Sequence, residues 1–398
     1  MSPQIEVQLI AVVVAVAAAL PGTFLVLRRL ALVSDAISHA ILPGIVVAFF
    51  LVESLSSPVL LIAAAMTGLL TVVLIELLGQ TRLLKEDASI ALVFPALFSV
   101  GVLLISRYAG GVHLDVDAVL LGELAFAPFD RLVVAGHDLG AKALWSMTAI
   151  LLLNVVLISV LYKELKLATL DREQAAVLGF APATVHYLLM GCVSITAVGA
   201  FQAVGSILVV ALMIAPPAAA YLLSDRLSVV LILGGVLGAA SGVGGYWLAR
   251  GIDGSIAGSM AVVAGLVFLG ALLFAPQRGL AAQLHRRARQ RWSFAERMLL
   301  VHLLHHERTP SAAEETAGHT VHRHLRWSER FTAEVIRRAE AGELLRREAG
   351  LLQLTERGRQ IAQRALLELD ERDGLGELGG RDRRRRAGRT IPGGAVEE

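Results

Sequence analysis

Apolar runs long enough to cross a bilayer recur through the first 277 residues, near 6–27, 30–53, 58–78, 89–106, 143–163, 185–204, 206–223, 229–248 and 257–275. A helix needs roughly 20 apolar residues to span a hydrocarbon core. The pattern therefore predicts eight or nine membrane-spanning helices. From Gly110 to Lys142 it is mixed: His113, Asp115, Asp117 and Glu123 surround Val119-Leu120-Leu121. That stretch predicts a short helix that does not cross, its acids either drawing cations to a mouth or forming a solvated loop face. Beyond Arg278 the period changes. Residues 294–306 and 328–342 read as amphipathic helices, Glu343 to Leu354 as two short strands around Gly350, and Thr355 with Gly358 opens a helix to about Leu369.

Composition sharpens this picture. The chain has 398 residues, is 56% hydrophobic and has a mean hydropathy of +0.66, above soluble globular usage. Charge gathers after Arg278, dividing the chain into a membrane domain at 1–277, a basic linker at 278–292, a small soluble domain at 293–370 and a disordered tail at 371–398. The lone Cys192 excludes a disulfide framework or a cysteine-rich zinc module. The first apolar run lacks a basic leader and continues into further spans, so it does not read as a cleaved signal peptide. Lysine and arginine in the 79–88 loop, in the 163–184 loop and after Arg278 favour a cytoplasmic address for all three, which puts the amino terminus outside and Arg28-Arg29 inside.

The segment Arg28 to Gly44 carries chemistry into an apolar run. Asp35, Ser38 and His39 stand at i, i+3 and i+4, on one helical face. With the arginines at the membrane edge, a rise of 1.5 Å per residue places Asp35 roughly 10 Å and His39 roughly 16 Å deep. Ionisable groups at that depth are costly and read as functional. Carboxylate oxygen and imidazole nitrogen suit a divalent first-row metal, with Ser38 a weaker third donor. Pro43 frees the carbonyl near position 39, loosening the helix there. The competing reading is a structural Asp–His pair without a ligand. In the 163–184 loop, Asp171 caps a short helix bearing Glu173, and Gly179 with Pro182 ends it. Six glycines between Gly234 and Gly245 read as a packing surface, with eased rocking of the helices as the alternative.

Arg28 to Gly44, Leu170 to Phe180, and Gly199 to Tyr221 resemble the permease subunits of the ABC importers for manganese, zinc and iron, the ABC-3 type, over about residues 5–277. The resemblance implies that Asp35 and His39 line the metal pathway and that Glu173, Ala176 and Gly179 form the coupling helix gripped by a separate ATPase subunit. It further implies an extracytoplasmic metal-binding receptor, a second permease subunit, and a location in the cell (inner) membrane. The metal is then transported substrate, manganese first, with zinc and iron open, and no cofactor is permanently bound. No Walker phosphate loop occurs, as expected of a chain that is not itself an enzyme.

Residues 293–369 resemble, more loosely, the winged-helix part of metal-dependent repressors of the diphtheria-toxin-repressor type. Arg286, Arg287, Arg289 and Arg291 suit anionic membrane lipid, with a plain cytoplasmic stop signal as the alternative. His302, His305, His306, His319, His322 and His324 offer a regulatory metal site, against the plainer reading of a solvated surface. Arginines on the second helix alternate with Glu329, Glu334 and Glu340, which disfavours DNA as partner. The alternatives to an ATP-driven permease are a secondary metal carrier and a membrane-tethered metal-responsive regulator.

Overall fold

The computed structural model describes residues 2–52, 58–81, 83–108, 124–134, 137–307, 315–348 and 350–367. These divide into two compact units, Met1–Ala282 and Gln283–Glu398. Among the described residues of the first, nine helical segments are long and apolar enough to cross a membrane. They are α1 (Pro3–Leu27), the paired α2 (Ala31–Ala40) and α3 (Leu42–Val52), α4 (Pro58–Gln80), α5 (Glu86–Tyr108), α6 (Lys142–Val160), α9 (Pro182–Val204), α10 (Ser206–Leu223), α11 (Leu227–Ile252) and α12 (Ile256–Phe274). Between α6 and α9 lie two short helices, α7 (Tyr162–Leu170) and α8 (Arg172–Val177).

Lipid supplies no hydrophobic drive between helices, so close approach and interhelical hydrogen bonds hold such a bundle together. α1 is its axis, buried through Ala11, Val14, Ala15, Ala18 and Phe24. The glycine-rich face of α11 lies against it. A Cβ at Gly238 or Gly242 would come within 3.2–3.3 Å of the backbone of Ala15 or Ala11, and one at Gly245 within 2.3 Å of Met260 Cα on α12. The buried Asn154 amide of α6 donates to the Ala17 carbonyl at 3.0 Å and to Thr196 Oγ1 at 2.8 Å, tying α1, α6 and α9.

Polar contacts define the two ends. At one, Arg131 bridges Glu6 at 2.9 Å and Asp138 at 2.7 Å, and Arg250 reaches Gln4. At the other, Arg28, Gln80, Thr169, Arg172 and Pro182 line one cavity. On this side too, α11 begins beside the carboxyl end of α1, with Gly234 facing Thr23, and Arg278 reaches back over Tyr221 to Asp225.

Within the stretch from Gly110 to Lys142 the short helix expected around Val119-Leu120-Leu121 lies outside the described residues; just before Lys142, Arg131–Val134 (β1) and His137–Ala141 (β2) pair as an antiparallel hairpin, Val133 opposite Asp138. The β-branched Val133-Val134 run and the nearby glycines favour extended strands over a helical turn. His113, Asp115, Asp117 and Glu123 lie outside the described residues, as does the tail from 371.

α13 (Leu280–His306) begins before Ser293, so the basic stretch at 286–291, read from the sequence as a linker, is helical. α14 (Val321–His324), α15 (Glu329–Ala341), β3 (Leu345–Glu348) and β4 (Leu351–Leu354) follow, then a helix over 356–367. Ser328 caps α15, its side chain accepting from Phe331 N. Thr355 Oγ1 accepts from Gly358 N at 3.1 Å and donates to the Glu343 carbonyl at 2.8 Å, starting the last helix. Strand β4 pairs with β3 and also bridges Ala317. Leu299, Leu300, Leu303, Val321, Val335, Ile336, Leu345 and Leu352 close a core around this hairpin.

Candidate functional site

Within the second span the helix breaks where the proline dictates. Pro43 has no N–H for the His39 carbonyl, α2 ends at Ala40, and Ile41 forms a turn before α3. Just before this break, Asp35 Oδ1 and His39 Nε2 lie 3.5 Å apart, and the His39 ring rests 5.9 Å from that of Phe94 on α5. Both side chains keep solvent-accessible surface in this single chain, 48% for Asp35 and 27% for His39. Ser38 does not join them: it is buried, and its hydroxyl donates to the Ser34 carbonyl at 2.9 Å. Inside a helix a serine hydroxyl readily bonds back to the carbonyl four residues before it. The pair thus offers one oxygen and one nitrogen to a shared ligand.

Deeper toward the end that carries Arg28 lies a cavity of about 750 Å³, lined by α1, α4, α7 and α9 residues. Its polar wall was not anticipated from sequence. Glu76 accepts the Tyr187 hydroxyl at 2.6 Å and sits 2.8 Å from His186 Nε2, while Arg28 Nη1 meets His186 Nδ1 at 3.1 Å. Arg28 Nε donates to Thr169 Oγ1 at 3.1 Å, fixing α7 to the end of α1. Burial pulls the Arg28 guanidinium down to about 10, and the like charge of Arg172 adds to the effect. The only signal for these residues in the sequence was an acid and a histidine in apolar runs 110 positions apart, which nothing local connects.

The short helix α8 matches its expectation in detail. The Asp171 carboxylate accepts from Gln174 N at 2.9 Å, capping the amino end. At the other end Gly179 takes φ +85°, Phe180 N bonds the Ala175 carbonyl and Gly179 N the Ala176 carbonyl, each at 3.1 Å, a Schellman closure. Ala175 faces inward, whereas Glu173, Ala176, Val177 and Leu178 are exposed, Val177 by 87%. An exposed apolar patch on a capped, rigid turn suits a protein partner.

In the second unit the histidines separate. His302, His306 and Glu315 converge, and His324 Nδ1 lies 2.9 Å from Glu315 Oε2. His322 lies instead 3.6 Å from Glu329, and His305 and His319 stay outside the converging group. Glu315 is the acid the sequence pattern did not supply. Burial holds the His302 imidazole below its usual range, against the raising effect of the Glu315 backbone. On α15, hydrogen bonds from Arg337 and Arg338 hold the Glu334 carboxyl below the usual carboxylate range.

A polytopic helical bundle with a polar pair at a broken helix, and a capped apolar helix at one end, defines a membrane transport subunit. The chain belongs to the ABC 3 transport family, whose profile matches residues 4–275. Such a subunit is a non-enzymatic permease that depends on a separate ATPase. The chain is 45% identical to the zinc transport system membrane protein TroD of Treponema pallidum, over 91% of this chain and 98% of that one. It is 48% identical to the manganese transport system membrane protein MntD of Bacillus subtilis, over 67% of this chain and 90% of that one. Among solved structures, PsaBC from Streptococcus pneumoniae in complex with Fab matches 70% of this chain and 94% of its own, with a TM-score of 0.59 and 27% identity. The TroD match runs over 361 residues, so it extends past the spans into the second unit.

Proposed function

We propose that this chain is the permease subunit of an ATP-driven importer for a divalent transition metal, manganese first, with zinc and iron taken by the same donor types. The observation that carries it is the Asp35–His39 pair beside the Pro43 break. A carboxylate favours the harder ion, and imidazole accepts all three. The names of the relatives above, zinc for one and manganese for the other, support the same class of cargo. The metal is substrate, handed on toward the cavity walled by Glu76 and His186.

The half-exposed Asp35 argues for a second permease subunit. A carboxylate facing hydrocarbon is costly, so that face is covered in the assembled transporter and the path runs between two subunits. Glu173, Ala176 and Gly179 present α8 to the ATPase. The Arg131 hairpin end faces the receptor protein outside the cell membrane, and the end with Arg28, α8 and Arg278 faces the cytoplasm. The second unit reads as a winged helix: its helices, the Ala317 bridge and the β3–β4 hairpin follow that order. Glu334 already engages two of the α15 arginines, so the unit suits regulation of the permease in cis better than DNA.

ATP-driven manganese uptake into vesicles that hold the full assembly tests this reading. Asp35→Ala and His39→Ala should each abolish uptake while the chain inserts normally. Normal uptake by both removes the site assignment.

A further inference from the structure

The converging donors in the second unit form a site of their own. His302 and His306 stand one turn apart on α13, their ring centroids 4.7 Å apart. Glu315 Oε2 lies 3.6 Å from His302 Nε2, and the His324 ring stacks on that of His302 at 5.9 Å. One donor atom each from His302, His306 and Glu315 falls within 4.8 Å of the others, and all three side chains are partly buried. We propose that His302, His306, Glu315 and His324 bind one divalent metal ion, separate from the transport pathway, with zinc preferred over manganese.

The chemistry sets that order. Three imidazole nitrogens and one carboxylate oxygen make a nitrogen-rich, four-donor set, which suits tetrahedral zinc, whereas manganese asks for more oxygens. Zinc–ligand distances near 2.0–2.1 Å put donors roughly 3.3 Å apart in a tetrahedron. The donors of His302, His306 and Glu315, now within 4.8 Å of one another, close onto the ion as it binds. His302 Nε2 lies 3.2 Å from the Glu315 carbonyl oxygen. Metal binding through Nε2 displaces this contact and leaves the ring proton on Nδ1.

Occupancy adds a metal–ligand tie between elements that already touch here, through His302 and the Glu315 carbonyl and through His324 and the Glu315 carboxylate. Glu315 precedes Thr316, whose carbonyl accepts from Leu352 N at 2.9 Å on β4. The ion thus ties the carboxyl end of α13 to the β3–β4 hairpin and to α14. A regulatory consequence rests on the permease reading above; the binding site does not.

The test uses the full-length chain carrying Asp35→Ala, His39→Ala and His186→Ala, which removes the pathway pair and the cavity imidazole. Zinc is added, excess removed, and bound metal counted; cobalt(II) absorption reports the geometry. The expected result is one zinc per chain with a tetrahedral cobalt spectrum. Adding His306→Ala with Glu315→Gln should remove the zinc, and His324→Ala alone should weaken it by about 10-fold or more. His305→Ala with His319→Ala should leave it in place. A chain that binds no zinc in this background, or that keeps it with both His306 and Glu315 replaced, overturns the proposal. Because uptake is not read, failure of the transport assignment leaves this count unaffected.

Discussion

At the scale of residues, the transport reading depends on local chemistry that the sequence displays and on distant chemistry that it hides. Asp35 and His39 are legible because helical periodicity alone brings positions i and i+4 together. Glu76, His186, Tyr187 and Arg28 are not, since only the packing of α1, α4 and α9 assembles them. Ser38, the weaker donor expected there, donates its hydroxyl to the Ser34 carbonyl, since backbone carbonyls compete for hydroxyls. Replacing either Asp35 or His39 with alanine should weaken metal binding in the pathway by about 100-fold or more, as even an outer-shell partner is worth about 10- to 100-fold. Binding of manganese to the purified assembly checks it; near-normal affinity rejects it. Glu76 should behave differently. Its charge offsets Arg28 across His186, so Glu76→Gln leaves the cation less compensated at that end of the cavity and raises the barrier for a departing divalent ion. Uptake should fall while affinity at Asp35–His39 stays put. A Glu76→Gln chain that transports at full rate removes this residue from the path. Asn154→Ala, by contrast, should cost only about 1 kcal/mol of stability, the usual worth of an interhelical hydrogen bond in a membrane.

At the scale of elements, caps were more informative than periodicity. α8 is too short for a periodic signal, yet Asp171 and Gly179 mark its two ends, and both perform those tasks. The hairpin at 131–141 escaped because its charged flanks masked a strand-forming core of Leu132, Val133 and Val134. α13 starts at Leu280, ahead of the apolar period that sets in near 294, because its arginines are good helix formers even without an apolar face. Gly179 now carries a sharper expectation. A Cβ there meets open space, so bulk alone does not clash with the rest of this chain. Its φ of +85° is the constraint, and a non-glycine residue in a left-handed conformation costs about 1–2 kcal/mol. Gly179→Leu should unwind the Schellman closure and displace Val177 and Leu178. ATP hydrolysis by the partner then loses its coupling to uptake. An unchanged ratio of metal moved to ATP hydrolysed would place coupling elsewhere.

At the scale of the whole molecule, the nine candidate crossings among the described residues would put the two ends of the membrane domain on opposite faces. The segregation of Glu6, Arg131 and Arg250 from Arg28, Arg172 and Arg278 agrees with that alternation. The sole cysteine, Cys192, is buried, so single cysteines introduced elsewhere report their side cleanly. Asp138→Cys should react with an impermeant thiol reagent from outside intact cells, and Leu178→Cys only after permeabilisation. Where the chain is cut also matters. Removing everything after Gln277 would delete Arg278, whose guanidinium stacks on Tyr221 at 4.4 Å and pairs with Asp225 at 2.5 Å. Part of any resulting defect would then belong to the bundle. A stop after Ala282, the last residue of the first unit, keeps these contacts and removes α14, α15, the β3–β4 hairpin and His302, His306, Glu315 and His324. That shortened chain should import at the intact rate but lose any inhibition by zinc or manganese loaded inside the vesicle. Equal inhibition of both chains by internal metal would assign the brake to the membrane domain or the ATPase, and leave the appended unit without a regulatory part.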